Sequence, residues 1–123
     1  MPVNWPRHWR HTVMSDILML ETRHLQLLHL LLAEHVPEAE VRAFGSRVKG
    51  TAHEGSDLDL LLSNPAGPGQ PVQGLAGLVE ALQASALPML VDVHDACRLP
   101  PAFLDEIHQD CILLQPIPPQ PEP

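Results

Sequence analysis

The chain contains no tyrosine, and its aromatic side chains are limited to two tryptophans and two phenylalanines. An interior packed to ordinary density must therefore be filled by aliphatic side chains, chiefly Leu, Val, Ile and Ala. Hydrophobic residues make up 45% of the sequence, enough for a globular domain and too many for a disordered chain. Basic residues are scarce as well, with 7 Lys and Arg against 15 Asp and Glu and a formal charge of −8. That shortage excludes a broad surface for phosphate backbones, so no direct nucleic-acid binding is expected. The acidic excess suits metal ions or a basic partner, and it equally keeps a small protein soluble. Cysteine is limited to Cys97 and Cys111, with no C-x-x-C pair and no disulfide framework, and both read as reduced core thiols.

A long uncharged apolar run is also missing. The richest stretch, Ile17 to Ala33, carries Glu21, Arg23, His24, Gln26 and His29, which would be costly in a bilayer, so it reads as a helix outside membranes. Arg7 and Arg10 near the N-terminus are not followed by a compact apolar run ending in small residues; no secretory signal is evident, and a cytoplasmic location is expected. No internal repeat is found. At 123 residues the chain suits one domain, with an N-terminal arm over 1–14, a folded domain over 15–114 and a Pro-rich disordered tail over 115–123.

Within that domain the pattern alternates between helix and strand. Ser15 followed by Asp16 is an N-cap signal, and Ile17, Leu20, Leu27, Leu28, Leu31 and Leu32 recur at three- and four-residue steps until Pro37 stops them. This helix is expected to cover one face of a sheet. Val41 to Phe44, stopped by Gly45, reads as a buried strand, and Ser46 to Thr51 as a short helix. Asp57 to Leu62 reads as a second strand with both carboxylates on one side, and Asn64 to Gln70 as a loop. Val72 to Leu87 has helical spacing, Met89 to Val93 reads as a third strand, Pro101 to Gln109 as a helix, and Cys111 to Leu114 as a short edge strand.

Residues 45–60 concentrate the groups that phosphoryl chemistry needs. A strand ending in Gly45-Ser46 at the start of a helix offers backbone N–H groups, a hydroxyl and close backbone approach to a phosphate. Asp57 and Asp59, two residues apart on a strand, share a face and can bracket hard cations such as Mg²⁺, which hold a triphosphate and polarise its phosphorus. Asp92 alternates with Val91 and Val93, so if the second and third strands pair, three carboxylates converge. Asp95 is the other acid that could complete the trio; Asp92 is chosen because its side alternates away from Val91 and Val93. Arg47 and Lys49 are either within reach of a triphosphate or solvated residues of a short helix.

Gly45-Ser46, Arg47, Gly50, Ser56, Asp57 and Asp59 resemble the Gly-Ser-x10-Asp-x-Asp signature of the DNA polymerase beta-type nucleotidyltransferase superfamily. Val91-Asp92-Val93 followed by Leu99-Pro100-Pro101 and Phe103 is similar to the minimal nucleotidyltransferase (MNT) group, across about Glu40 to Leu114. Lys49 stands where an Arg is often found, a change that keeps the charge. The resemblance implies an α+β fold, the nucleotidyltransferase fold, with a small mixed β-sheet flanked by helices. It implies Mg²⁺ dependence, with two ions, and transfer of a nucleoside monophosphate from a triphosphate such as ATP to a hydroxyl. It places metal binding and catalysis on Asp57, Asp59 and Asp92, and phosphate binding on Gly45 and Ser46, with Arg47 and Ser56 counted beside them.

Many proteins of this group are antitoxins that add AMP to a tyrosine of a HEPN-type toxin, and such a toxin is the partner the resemblance implies. A tyrosine acceptor would have to lie on another molecule, since this chain has none. Two other readings remain open. One is an acidic module that neutralises a basic RNase by covering it, without catalysis. The other is a nucleotidyltransferase of small molecules, which ordinarily needs more chain for its acceptor pocket.

Other residues invite readings that their spacing does not support. His24 and His29 are five apart and miss the helical i, i+4 face, so no zinc site is expected among the histidines. His94 shares a strand face with Asp92, where it either packs or meets the nucleotide or metal. Trp5 and Trp9 flank Arg7 and Arg10, composing an arm that either docks on a partner or packs back on the domain. Pro116, Pro118 and Pro119 lack a flanking basic residue, which favours a linker over an SH3-type ligand.

Overall fold

A computed structural model describes residues 18, 20–49 and 56–118. The Trp/Arg arm, the Ser15 cap, Gly50 and the last five residues of the tail lie outside the described residues.

The first described helix, α1 (Thr22–His35), turns Leu25, Leu28 and Leu32 inward at three- and four-residue steps. Val36, which precedes Pro37, leaves the helical region (φ −134°, ψ 56°), as expected for a residue crowded by a proline ring. One expectation needs correction here. The helix predicted to run unbroken from Ser15 is interrupted, because Leu20 and Glu21 are not helical and Glu21 is extended (ψ 146°). Leu18 and Leu20 are both buried, at 0% and 3% exposure. Two residues apart on one helix they would face opposite ways, so a break is what admits both to the core. The Glu21 carbonyl then accepts from the N–H groups of His24 and Leu25, both at 3.0 Å.

Four strands follow the order β3-β2-β1-β4, where β1 is Glu40–Phe44, β2 Leu58–Ser63, β3 Val91–Asp95 and β4 Ile112–Gln115. β1 pairs antiparallel with β2 and β4, and β2 pairs parallel with β3. A parallel pair needs a crossover, supplied by α3 (Leu75–Gln83). The four-residue helix α2 (Ser46–Lys49) follows β1, and α4 (Pro101–Gln109) precedes β4. The fold is therefore α+β with a small mixed sheet flanked by helices, as the resemblance implied.

Strand alternation sorts the two faces. Val41 and Ala43 of β1 and Leu58, Leu60 and Leu62 of β2 join the main core beneath α1 and α3. On the other face, Leu61 packs with Ala96 and with Ile107 of α4, a smaller cluster that leaves one end of that face open to polar residues.

Several boundaries shift from those expected. The helix read over Val72 to Leu87 is confined to Leu75–Gln83: Gly74, in the left-handed region (φ 87°), precedes its first turn, and beyond its end the Ser85 hydroxyl donates to the Leu82 carbonyl at 2.7 Å. The third strand begins at Val91 and continues through His94 and Asp95, whose polar side chains broke the apolar pattern without breaking the ladder. Gln115, assigned to the tail, closes β4; its amide donates to the carbonyls of Val36 (2.7 Å) and Ala39 (2.9 Å). Among the described residues no helix is long and apolar enough to cross a membrane.

The half-buried His29 of α1 carries a pH consequence. Burial holds its imidazole below the ordinary histidine value. The unfolded chain therefore binds a proton that the folded chain refuses, and stability falls as pH drops below about 6.5, the unfolded value. Thermal melts from pH 7.5 to pH 5 should show this decline, and His29→Gln should flatten it.

Candidate active site

The site is assembled where β1 ends and β2 begins. Antiparallel pairing sets Phe44 opposite Asp59, which brings Gly45 over the Asp59 carboxylate. A Cβ on Gly45 would lie 2.6 Å from Asp59 Oδ2, and its φ of +87° is one that side chains resist. Glycine is thus required there for both space and backbone. Ser46 then opens α2.

Alternation along β2 directs Leu58 and Leu60 into the main core and Asp59 to the opposite face. Asp57 is exposed just before the strand, and the ladder proper starts at Leu58, whose N–H donates to Leu90 O at 2.9 Å. Parallel pairing sets Asp59 beside Asp92, which is exposed. The Asp59 carboxyl is pushed above the ordinary carboxylate range, first by its burial. His94 works against that shift, and the charges of Asp92 and Asp57 add to it. The three acids predicted from the sequence are therefore electrostatic neighbours and mutually repulsive.

His94 Nε2 stands 3.6 Å from Asp59 Oδ1, longer than an ordinary hydrogen bond, and is buried without a hydrogen-bond partner among the described residues. Its ring tilts against Phe44 at 5.4 Å, and Phe44 meets Phe103 of α4 edge-on at 6.3 Å. The shared face with Asp92, inferred from alternation, is observed. The contact with Asp59 depends on the parallel register and was invisible in the sequence.

Asp95, the rival for the third acidic position, is 5% exposed and fully engaged. Its Oδ1 accepts from the Cys97 N–H (3.2 Å), capping a 3-10 turn at Ala96–Arg98, and its Oδ2 accepts from Val72. This separates two variants. Asp95→Ala should cost about 1–3 kcal/mol by orphaning the buried Val72 N–H and the part-buried Cys97 N–H, whereas Asp92→Asn should leave the melting temperature nearly unchanged and act on turnover. Denaturant unfolding alongside a transfer assay checks both.

Arg47 is also buried, at 6% exposure, and its Nε donates to the Ser56 backbone carbonyl at 3.1 Å. Both residues were expected beside phosphates; the contact uses the Ser56 backbone carbonyl and ties the pair to the start of β2. Nothing in the sequence signals a buried arginine in so short a helix.

The donor set matches Mg²⁺, a hard cation that prefers carboxylate oxygens. Among the described residues no group of three or more His, Cys, Asp or Glu side chains forms a ready-made metal cage. Mg²⁺ is ordinarily held by one or two carboxylates together with substrate phosphates and water.

The family model described as nucleotidyltransferase domain matches residues 27–117, a span that contains all these groups. The chain belongs to the nucleotidyltransferase family. It is also 35% identical over 100 residues to a protein from Haemophilus influenzae named as a probable protein adenylyltransferase, MntA, with 80% of this chain and 84% of that one covered. The match places this nucleotidyltransferase with the minimal, MNT-type members. A crystal structure described as a toxin-antitoxin with AMP-PNP shares its fold, with a TM-score of 0.60 at 23% identity over 75% of this chain and 73% of that one. The nucleotidyltransferase thus presents its Gly45-Ser46 turn, Asp59 and Asp92 together at one end of the open sheet face.

Proposed function

We propose that this nucleotidyltransferase transfers AMP from ATP to a hydroxyl of a partner protein, a tyrosine of a HEPN-type toxin, and acts in the cytoplasm as that toxin's antitoxin. The observation that carries the reading is the pairing of Asp59 with Asp92 beneath Gly45, which gathers acidic oxygens where a phosphate-binding turn ends. The relative's name as a protein adenylyltransferase and the AMP-PNP in the toxin-antitoxin structure support it. The absence of tyrosine from this chain agrees with an acceptor in trans.

Asp57 and Asp59 are the residues that would hold Mg²⁺, with Asp92 joining them. When bound, Mg²⁺ neutralises the triphosphate and polarises the α-phosphorus. Gly45 and Ser46 orient the phosphates through backbone N–H groups and a hydroxyl. Asp92, the most open of the strand acids, accepts the proton as the acceptor oxygen bonds to the α-phosphorus. The bond from that phosphorus to the bridging oxygen breaks, and pyrophosphate leaves.

The net charge of −8 favours a second reading, in which the chain neutralises a basic toxin by covering it. Intact-mass measurement separates the two. The chain is incubated with the product of its neighbouring gene, ATP and Mg²⁺, with Asp59→Asn as control. An AMP adduct on the toxin, absent with the variant, is expected; inhibition of the toxin without an adduct would leave only the covering role.

A further inference from the structure

Among the described residues the buried charged side chains are Arg47 and Asp95, and Asp95 is explained by its capping role. Burying a guanidinium is costly unless hydrogen bonds compensate. One bond that Arg47 makes is to the carbonyl of Ser56, the residue directly before Asp57. That position matters because strand pairing fixes the chain only from Leu58 onward. Asp57 is exposed and precedes the ladder, so its backbone is held on one side by Leu58 and on the other by the Ser56 peptide.

We infer that Arg47 is a positioning residue for the metal-binding carboxylates, fastening the entry of Asp57-Leu58-Asp59 to the helix that follows Gly45-Ser46. This rests on the proposed reading of Asp57 and Asp59 as metal ligands. The peptide plane is rigid, so anchoring the Ser56 carbonyl sets the direction in which Asp57 departs. It also fixes the separation between the phosphate turn and the acids across nine positions of sequence. A lysine cannot substitute, because its ammonium lacks the planar fork and the Nε–H that meets the carbonyl.

The test uses full-length Arg47→Lys and Arg47→Met. Mn²⁺ binding in the presence of a non-hydrolysable ATP analogue is followed by electron paramagnetic resonance, with kcat and the KM for ATP measured at saturating Mg²⁺. Supporting residues of this kind are worth about 10- to 100-fold in metal affinity. Both variants should weaken Mn²⁺ binding by at least about tenfold and lower kcat, with the KM for ATP unchanged.

Three results would overturn the inference. One is wild-type Mn²⁺ binding in both variants. Another is rescue by Lys together with a raised KM for ATP in Met, which marks a phosphate-binding charge. The third is loss of cooperative melting in both, which makes Arg47 a support of the whole fold. Asp59→Asn is run alongside: unchanged Mn²⁺ binding there would refute the metal reading itself and leave the Arg47 result to be judged separately.

Discussion

Asp59→Asn is expected to lower kcat/KM for nucleotide transfer by about a thousandfold or more, equivalent to roughly 4 kcal/mol of transition-state stabilisation. The same variant should fold as well as the parent or better. Asp59 is partly buried, and its carboxyl is raised by that burial and by Asp92 and Asp57, so its ionised form is held at a cost. Asparagine keeps the shape and removes the charge. Loss of turnover with an equal or higher melting temperature is the signature of a residue retained for chemistry at some expense to stability. A parallel fall in both quantities would instead mark Asp59 as a strut of β2.

The second large effect comes from one methyl group. Gly45→Ala places a Cβ 2.6 Å from Asp59 Oδ2 at a backbone φ of +87°. The strained backbone should cost about 1–2 kcal/mol, and displacement of the carboxylate should cost a further factor of about 100 in turnover. Gly67→Ala separates the two causes. Gly67 also has a positive φ, +137°, yet a Cβ there meets nothing within 4 Å. It should lose stability and keep its activity. Equal activity losses in both glycine variants, measured at matched folded fractions, would remove the close approach to Asp59 from the explanation.

What the sequence disclosed about this site follows from periodicity. Asp59 alternates with Leu58 and Leu60, and that period of two places the acid and the core residues on opposite faces with no knowledge of neighbours; Asp57, expected to open the strand, lies just before it. The same rule brought Asp92 and His94 to one side of β3. The Gly-Ser-x10-Asp-x-Asp spacing then supplied the family, because it is a pattern in one dimension.

Contacts that depend on a second element were hidden. The capping role of Asp95 depends on Val72, 23 residues upstream, whose N–H occupies one Asp95 oxygen. The proximity of His94 to Asp59 required the parallel register of β2 and β3. Arg47 reads locally as a solvated residue or a phosphate ligand, and only the fold reveals that its guanidinium is enclosed and turned to Ser56. The interruption at Leu20 and Glu21 was likewise masked, since the apolar run continues through it while the core demands both Leu18 and Leu20.

The central claim is that the carboxylates at the head of β2 and β3 direct nucleotidyl transfer to a partner. Labelled ATP tests it most directly, with the chain, the product of its neighbouring gene as the candidate toxin, and Mg²⁺ incubated with ATP carrying radioactive phosphorus at either the α or the γ position. The account predicts label on the toxin from α-labelled ATP alone, with pyrophosphate released in equal amount and no label when Asp59→Asn or Asp92→Asn replaces the parent. Label retained from the γ position, or α-label that persists in both variants, would contradict it.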